Sequence, residues 1–459
     1  MAQKPSIPKG TRDFGPDEMR KRNFILEVIQ KHFVRNGFDP ISTPAFENLD
    51  TLMGKYGDEG DRLVFKILNS GDYLSKYRGG RNSPLEENLG EVTRSISKKA
   101  LRYDLTVPFA RFVVQHHHEL TFPFKRFQIQ PVWRADRPQK GRYQEFFQCD
   151  ADVVGSTSLW QEVELAQLYL DVFQELGIDA TVRLNHRGIL SGIAQAVGIS
   201  DLLIPMTVAL DKLDKIGIDG VRSEWSERGL LDQQITALKP LLSESSSFEQ
   251  SLEMLERWIG HTDEGRRGVA DLKFLFKVLK DDVTAGRLAL DVSLARGLDY
   301  YTGVIFEVAA NGVELGSIGG GGRYDDLTGV FGMEGLSGVG ISFGLERIYL
   351  VMEEQDKFPS LSAARTQVLF AHFGESEAEV AYGMLRELRK CGVAAELYPD
   401  SQKMKKQFSY ADKKGIPTMV LLGGEEILRR EAIVKNMQSG EQITLSWDKL
   451  IDHLAQGHA

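Results

Sequence analysis

The chain has 459 residues, enough for two or three domains rather than one core. With 42% apolar and 26% charged residues it has a folded globular composition, with neither a run of membrane-spanning length nor a secretory leader in the polar, Pro- and Gly-containing start. A formal charge of −9 argues against a general nucleic-acid binder without excluding local basic surface, and only two cysteines, Cys149 and Cys391, exclude a disulfide framework or a cysteine-built zinc site and fit a reducing, cytoplasmic location.

Residues 16–36 predict an amphipathic helix: Pro16 suits a first turn, Phe24, Ile25, Val28, Ile29 and Phe33 recur at helical spacing, and Asn36-Gly37 is a stop. Residues 38–46 read as extended chain whose Pro40 and Pro44 suit a sheet edge or an interface. Residues 70–99 are polar and read as a long surface loop. Residues 124–154 predict strand, turn and strand, and 159–176 a helix. Residues 201–282 lack strand signals and predict an inserted helical module, after which 288–343 return to short apolar strands broken by glycines and 344–354 form a helix. Past a linker at 361–365, strands at 368–372, 394–398 and 418–422 alternate with helices, which implies a small α/β domain with parallel strands. The expected organisation is a domain at 1–360, interrupted by the helical insertion at about 200–284, and a second domain at 366–459.

The strand pair at 124–154 carries the most chemistry. Side chains alternate faces along a strand, so Phe147, Cys149, Ala151 and Val153 form a core face while Phe146, Gln148, Asp150 and Asp152 share the other. On the incoming strand Gln128, Gln130 and Arg134 share a parity, and the basic loop Arg137-Pro-Gln-Lys-Gly-Arg142 joins the two. A polar face with a basic tip suits a ligand holding a phosphate and a small polar molecule. The same alternation is routine in a half-solvated antiparallel pair, and this segment alone leaves both readings open.

Four segments in order then match a known family. Residues 127–134, the loop through Tyr143 and residues 146–152 resemble the second signature motif of class II aminoacyl-tRNA synthetases in its histidine-specific form. Residues 37–47, with Pro44, resemble the first motif, which builds the dimer interface, and Gly338-Val-Gly-Ile-Ser-Phe-Gly-Leu-Glu-Arg347 resembles the third. Ala295-Arg-Gly-Leu-Asp-Tyr-Tyr-Thr-Gly303 is similar to a peptide specific to histidyl-tRNA synthetases and is the most specific element; Lys9-Gly-Thr-Arg-Asp13 also fits. The likeness spans essentially the whole chain. It implies an α/β fold of α+β type: a class II catalytic domain with an antiparallel sheet flanked by helices, a helical insertion, and a C-terminal α/β anticodon-binding domain.

The implied activity is ATP-dependent ligation of L-histidine to tRNA(His) through histidyl-adenylate, releasing AMP and pyrophosphate. ATP is a substrate accompanied by Mg2+, no tightly bound cofactor or protein-held metal is expected, and the partners are tRNA(His) and a second copy of the chain, with no membrane. By the same resemblance Arg134 holds the α-phosphate and the histidine carboxylate, Arg347 the γ-phosphate end, Arg142 a further phosphate, and Arg296 the α-phosphate region. Phe146 stacks on adenine, with Asp136 nearby. Asp104, Thr106 and Gln148 receive the α-amino group, while Asp152 and Tyr301 face the imidazole with Tyr300 beside them. Arg137 and Gln139 match positions that read the extra 5′ guanosine of tRNA(His). Lys403, Lys405, Lys406, Lys413 and Lys414 offer basic surface to tRNA, although such a run is ordinarily a solvated face.

Two departures from the family pattern stand out: Asp104-Leu-Thr106 where many bacterial members carry Glu-Gly-Thr, and Ala135-Asp136 where His-Glu is common. His116-His-His118 is not read as a metal site, since adjacent side chains diverge and no cysteine or acidic cluster accompanies them. Gly319 to Gly322 is no dinucleotide fingerprint and reads instead as close backbone approach to the bound amino acid. The rival reading is a non-catalytic paralogue that regulates histidine biosynthesis, which shares the fold but typically lacks the anticodon domain and the active-site motifs that this chain keeps.

Overall fold

The computed structural model describes residues 4–54, 57–73, 89–242, 248–295, 301–359 and 366–457. Arg296, Tyr300, the linker at 361–365 and part of the 70–99 stretch lie outside the described residues. The chain divides into two units, Met1–Phe358 and Pro359–Ala459.

In the first unit the strands are β1 (Asp39–Pro40), β2 (Phe46–Asn48), β3 (Lys66–Ile67), β4 (Lys99–Leu101), β5 (Phe124–Trp133), β6 (Glu145–Val154), β7 (Ala180–His186), β8 (Leu288–Leu290), β9 (Val304–Ala310), β10 (Gly319–Tyr324) and β11 (Gly338–Gly344). Eight form one sheet in the order β1-β5-β6-β11-β10-β9-β7-β8, while β2, β4 and β3 make a small separate sheet. The six central strands are antiparallel, and only the edge strands β1 and β8 pair in parallel. The Pro40-containing strand lies at the edge, where a missing N–H costs no ladder bond.

Register decides which side chains meet. Phe127, Cys149, Ala151, Val153, Ile341, Phe343, Phe306 and Val308 belong to one core beneath the sheet. The Pro16–Arg35, Trp160–Glu175 and Leu345–Glu354 helices cover it. Phe33 anchors the first of these helices, its ring 5.3 Å from that of Phe127 and 5.8 Å from that of Phe343. That helix starts with Pro16 in its first turn and the Glu18 carboxylate accepting from Gly15 N at 2.9 Å, and it is followed by Gly37 at φ +76°.

The helical insertion comprises Leu203–Leu210, Leu213–Glu227, Asp232–Ala237, Phe248–Ile259, Asp263–Val278 and Lys280–Thr284. The loop expected at 70–99 needs correction at its end. Leu89–Ile96 is a helix and Lys99–Leu101 is β4. Val92 and Ile96 stand four residues apart, a helical spacing that the surrounding polar residues hide.

The second unit is a five-stranded sheet of β12 (Val368–His372), β13 (Ala395–Leu397), β14 (Thr418–Leu422), β15 (Glu431–Asn436) and β16 (Gln442–Ser446), ordered β13-β12-β14-β15-β16. The first three are parallel, as the alternation implied, but β15 and β16 add an antiparallel edge. The link between β15 and β16 is too short for a crossover; it closes as a hairpin in which Asn436 Oδ1 accepts from Gln438 N and Ser439 N. Among the described residues no helix is long and apolar enough to cross a membrane.

Two glycine substitutions test this packing by their opposite signs. A Cβ on Gly321 would stand 2.2 Å from Gly340 O and 2.7 Å from Ile341 Cα. Gly321→Ala is therefore expected to destabilise by about 1–3 kcal/mol. Gly383, inside the Glu375–Lys390 helix, has nothing within 4 Å of such a Cβ. Gly383→Ala is expected to stabilise by about 0.5–1 kcal/mol. Urea unfolding of both variants should give midpoint shifts of opposite sign; shifts in the same direction would overturn the packing argument.

Candidate active site

The face of the large sheet opposite the core is polar. Pairing places Arg126 opposite Asp152, Gln128 opposite Asp150, and Gln130 opposite Gln148. Across the next ladder Asp152 faces Gly340, Asp150 faces Ser342 and Gln148 faces Gly344, and beyond them Gly320 and Gly322 continue the same rows. The result is a floor with three hydrogen-bonding groups along β6 and small residues beside them, which a ligand can approach closely.

Not all of these glycines serve a ligand. A Cβ on Gly319 would meet the Tyr169 ring at 2.7 Å, one on Gly321 the β11 backbone, and one on Gly322 the Tyr301 ring at 2.7 Å. Packing of the protein itself therefore requires these three. Only at Gly320 is there room, the nearest atom being Phe306 O at 3.6 Å. The expectation of close approach to a bound amino acid is thus narrowed to one glycine of the run.

The acidic row is strongly desolvated. Asp150 and Asp152 are each 3% exposed. Burial pushes the Asp150 carboxyl up to about 7, opposed by the Arg126 guanidinium and reinforced by the charge of Asp152. Burial likewise raises Asp152, while Arg126 and a hydrogen bond from Tyr324 act to lower it. Tyr324 donates to Asp152 Oδ1 at 2.6 Å, and Arg126 Nη2 stands 2.8 Å from Asp152 Oδ2. Strand parity groups Arg126 with Gln128 and Gln130, and the sequence reading stopped one step short of it. Tyr324 and Ser342 were also missed; their nearness to the acids is set by cross-strand register, which no local pattern reveals.

At the other end of the row, Arg134 leaves β5 with its Nε donating to Tyr103 O at 3.1 Å and Nη2 to Gln148 Oε1 at 3.4 Å. Its guanidinium lies 4.3 Å from the Tyr103 ring centroid and 5.2 Å from that of Phe146. The structure thus brings Arg134, Phe146 and Gln148 together. Arg347, in the first turn of the Leu345–Glu354 helix, donates to Gly141 O at 3.2 Å and to Ser317 O at 2.6 Å, so it is tied to the loop joining β5 and β6. That loop carries Arg137, Gln139 and Arg142 exposed to solvent, with Asp136 at its start, where its carbonyl accepts from Gln144 Nε2. The N-terminal segment holds the loop from outside: Gln144 N donates to Gly10 O at 2.8 Å, and the Arg12 guanidinium lies 3.7 Å from the Tyr143 ring centroid.

Asp104 precedes the Thr106–His116 helix, and its Oδ1 accepts from Val107 N at 3.2 Å, so this carboxylate is held at the start of the helix. Thr106 opens the helix beside it. Tyr301 covers Gly322 from the polar side. In the second unit all five lysines of the basic stretch are exposed, but Lys414 is committed to Glu396 and Tyr410, at 2.8 and 2.9 Å, which leaves four for a partner. Among the described residues no group of three or more His, Cys, Asp or Glu side chains gathers to hold a metal ion.

Residues 91–348 match the family model described as histidyl-tRNA synthetase, and residues 367–456 match the one described as anticodon binding domain. The histidine–tRNA ligase of Christiangramia forsetii is 56% identical, over 98% of this chain and 99% of its own length. That of Flavobacterium johnsoniae is 54% identical, over 98% and 99%. Among solved structures, the crystal structure of histidyl-tRNA synthetase from a Nostoc species superposes with a TM-score of 0.80 at 28% identity, covering 99% of this chain and 100% of that one. Fold, polar floor and full-length likeness agree, and the chain belongs to the histidyl-tRNA synthetase family.

Proposed function

We propose that the chain works as a histidine–tRNA ligase in two steps on the polar face of the large sheet. A carboxylate oxygen of histidine attacks the α-phosphorus of ATP, the bond to the bridging oxygen breaks, and pyrophosphate leaves. The terminal ribose hydroxyl of tRNA(His) then attacks the acyl carbon, loses its proton, and AMP departs. The observation that carries this reading is the row Gln148–Asp150–Asp152, with Arg134 at one end and, at the other, Asp152 and Tyr301 laid over Gly340 and Gly322.

Both steps develop negative charge on phosphorus-bound oxygens, and planar guanidinium donors stabilise it without reorganising. Arg134 takes the α-phosphate and the histidine carboxylate, Arg347 the γ-phosphate end and Arg142 a further phosphate, while Phe146 stacks on adenine with Asp136 close by. Family likeness adds Arg296 near the α-phosphate and Tyr300 beside the ring. Asp104, Thr106 and Gln148 receive the ammonium group; Asp152 and Tyr301 receive the imidazole. A site built from such partners rejects analogues lacking them by factors of about 10⁴ or more, so editing is not required. Magnesium enters as part of the nucleotide substrate. Arg137 and Gln139 meet the 5′ end of tRNA(His), and the second unit takes the anticodon. The enzyme is cytoplasmic and homodimeric in this reading: edge strand β1, exposed Val34 at 57% and exposed Phe46 at 46% offer the surface for a second copy.

Amino-acid-dependent exchange of labelled pyrophosphate into ATP tests the first step. Exchange is expected with histidine and no other standard amino acid; its absence from folded protein would move the assignment to the non-catalytic paralogue. Arg134→Ala is expected to lower the exchange rate by about 10²–10³-fold, the usual loss for one donor aimed at a developing anion. Phe146→Ala should raise KM for ATP far more than KM for histidine.

Arg137→Ala and Gln139→Ala should leave exchange intact and slow tRNA charging. Equal loss in both assays would instead place these residues in the adenylation step. Sedimentation should give twice the chain mass; a stable monomer at working concentration overturns the homodimer.

A further inference from the structure

Arg126 has no part in the scheme above, yet its placement is costly. It is 0% exposed, its guanidinium lies 4.2 Å from the Phe109 ring centroid, and its Nε and Nη1 have no hydrogen-bond partner among the described residues. An ion pair so buried is weak evidence for stability, since an apolar pair of similar volume commonly does as well. A buried donor left unmatched calls for another explanation.

The surroundings supply it. Arg126 stands directly across the ladder from Asp152 and on the diagonal from Asp150. The other charged or titratable groups around the two acids include Tyr324 from β10, Asp104 ahead of the Thr106–His116 helix, Tyr301 over Gly322, and Tyr169 and Cys149 from the core side; Ser342 from β11 adds a hydrogen bond. Asp104 and the acids' own mutual repulsion favour protonation, and Arg126 is the cation that opposes them at both positions. Geometry also directs Asp152. A Cβ on Gly340 would fall 2.0 Å from Asp152 Oδ1, so this carboxylate lies over Gly340. Tyr301 lies over Gly322, the ladder partner of Gly340. Asp152 and Tyr301 therefore cover the two glycines of one rung, on neighbouring strands.

We propose that Arg126 is a positioning residue for amino-acid recognition: it keeps Asp152 ionised and laid over Gly340, beside Tyr301, where the carboxylate accepts a ring N–H of histidine. This rests on the reading of the pocket as the histidine site. A protonated Asp152 would lose the anionic acceptor that makes the stronger, charge-assisted hydrogen bond to a ring N–H.

The test is pyrophosphate exchange measured across pH for the native enzyme, Arg126→Gln, Arg126→Lys and Asp150→Asn, with folding checked by circular dichroism. In Arg126→Gln, KM for histidine is expected to rise about tenfold or more while KM for ATP stays within about twofold. The acid limb of kcat/KM for histidine should move to higher pH by about one unit or more, because removing a cation raises the pKa of a nearby carboxylate. Titration of free histidine affects every variant alike and cancels in the ratio to the native profile. Arg126→Lys should restore part of the loss, and Asp150→Asn should move the limb the opposite way, since Asp152 then has the cation to itself.

A purely structural role would lower activity equally at all pH values and for both substrates, and that result overturns the proposal. An unchanged KM for histidine in Arg126→Gln does the same while leaving the ligase assignment standing. Should Arg126→Gln fail to fold, the lysine and asparagine variants decide alone, and an absence of opposed pH shifts between them counts against the role. Native protein without histidine-dependent exchange takes down the ligase assignment and this proposal with it.

Discussion

The Glu346 carboxylate is 5% exposed and joins three elements that sequence places far apart. It sits in the first turn of the Leu345–Glu354 helix, accepts from Arg22 Nη2 at 2.9 Å, and accepts from Phe147 N at 3.2 and 3.3 Å. Strand β11 ends at Gly344 opposite Gln148, so the next N–H on β6 has no strand to pair with, and the carboxylate supplies the acceptor. Arg22 is held in turn by the Phe14 ring at 4.0 Å and lies 5.6 Å from that of Phe147. Breaking one side of such a pair strands a buried charge at a cost of about 3–5 kcal/mol. The arrangement fixes where β6 presents Gln148 and where the following residue, Arg347, begins its reach. Both ends of the proposed nucleotide-binding surface are thus referred to one buried anion.

That constraint lets the two faces of the sheet diverge. Below, Phe33, Phe127, Phe343 and their neighbours supply apolar burial, at roughly 1.5–3 kcal/mol per large side chain. Above, desolvated acids and an under-bonded arginine subtract from it. The core face carries the stability that permits a strained polar one.

Much of this division could be read from the chain. The alternation from Phe146 to Val153 assigns each face of β6 without any partner strand, and the helical spacing of Ile25, Val28, Ile29 and Phe33 marks the face that packs beneath it. Alternation could not say which residue stands opposite which. Tyr324 reaches Asp152 across 172 positions, and only register makes them neighbours. Helix Leu89–Ile96 was lost among polar residues. The antiparallel edge of the second unit was missed because a β-α alternation was extended past its last helix. Lys414 looked like one more exposed cation until Glu396 folded against it.

Gly320 differs from the other glycines of its run in a way that sequence cannot reveal. Its neighbours in the run are held by the protein's own atoms, so changing them costs the fold. At Gly320 the backbone accommodates a methyl group, across the ladder from Ser342 and one further strand from Asp150. If the proposed histidine site is taken as the target, a laboratory selection for altered amino-acid choice has one floor position that can be raised without moving a strand, and libraries are better spent at that codon than at the glycines beside it.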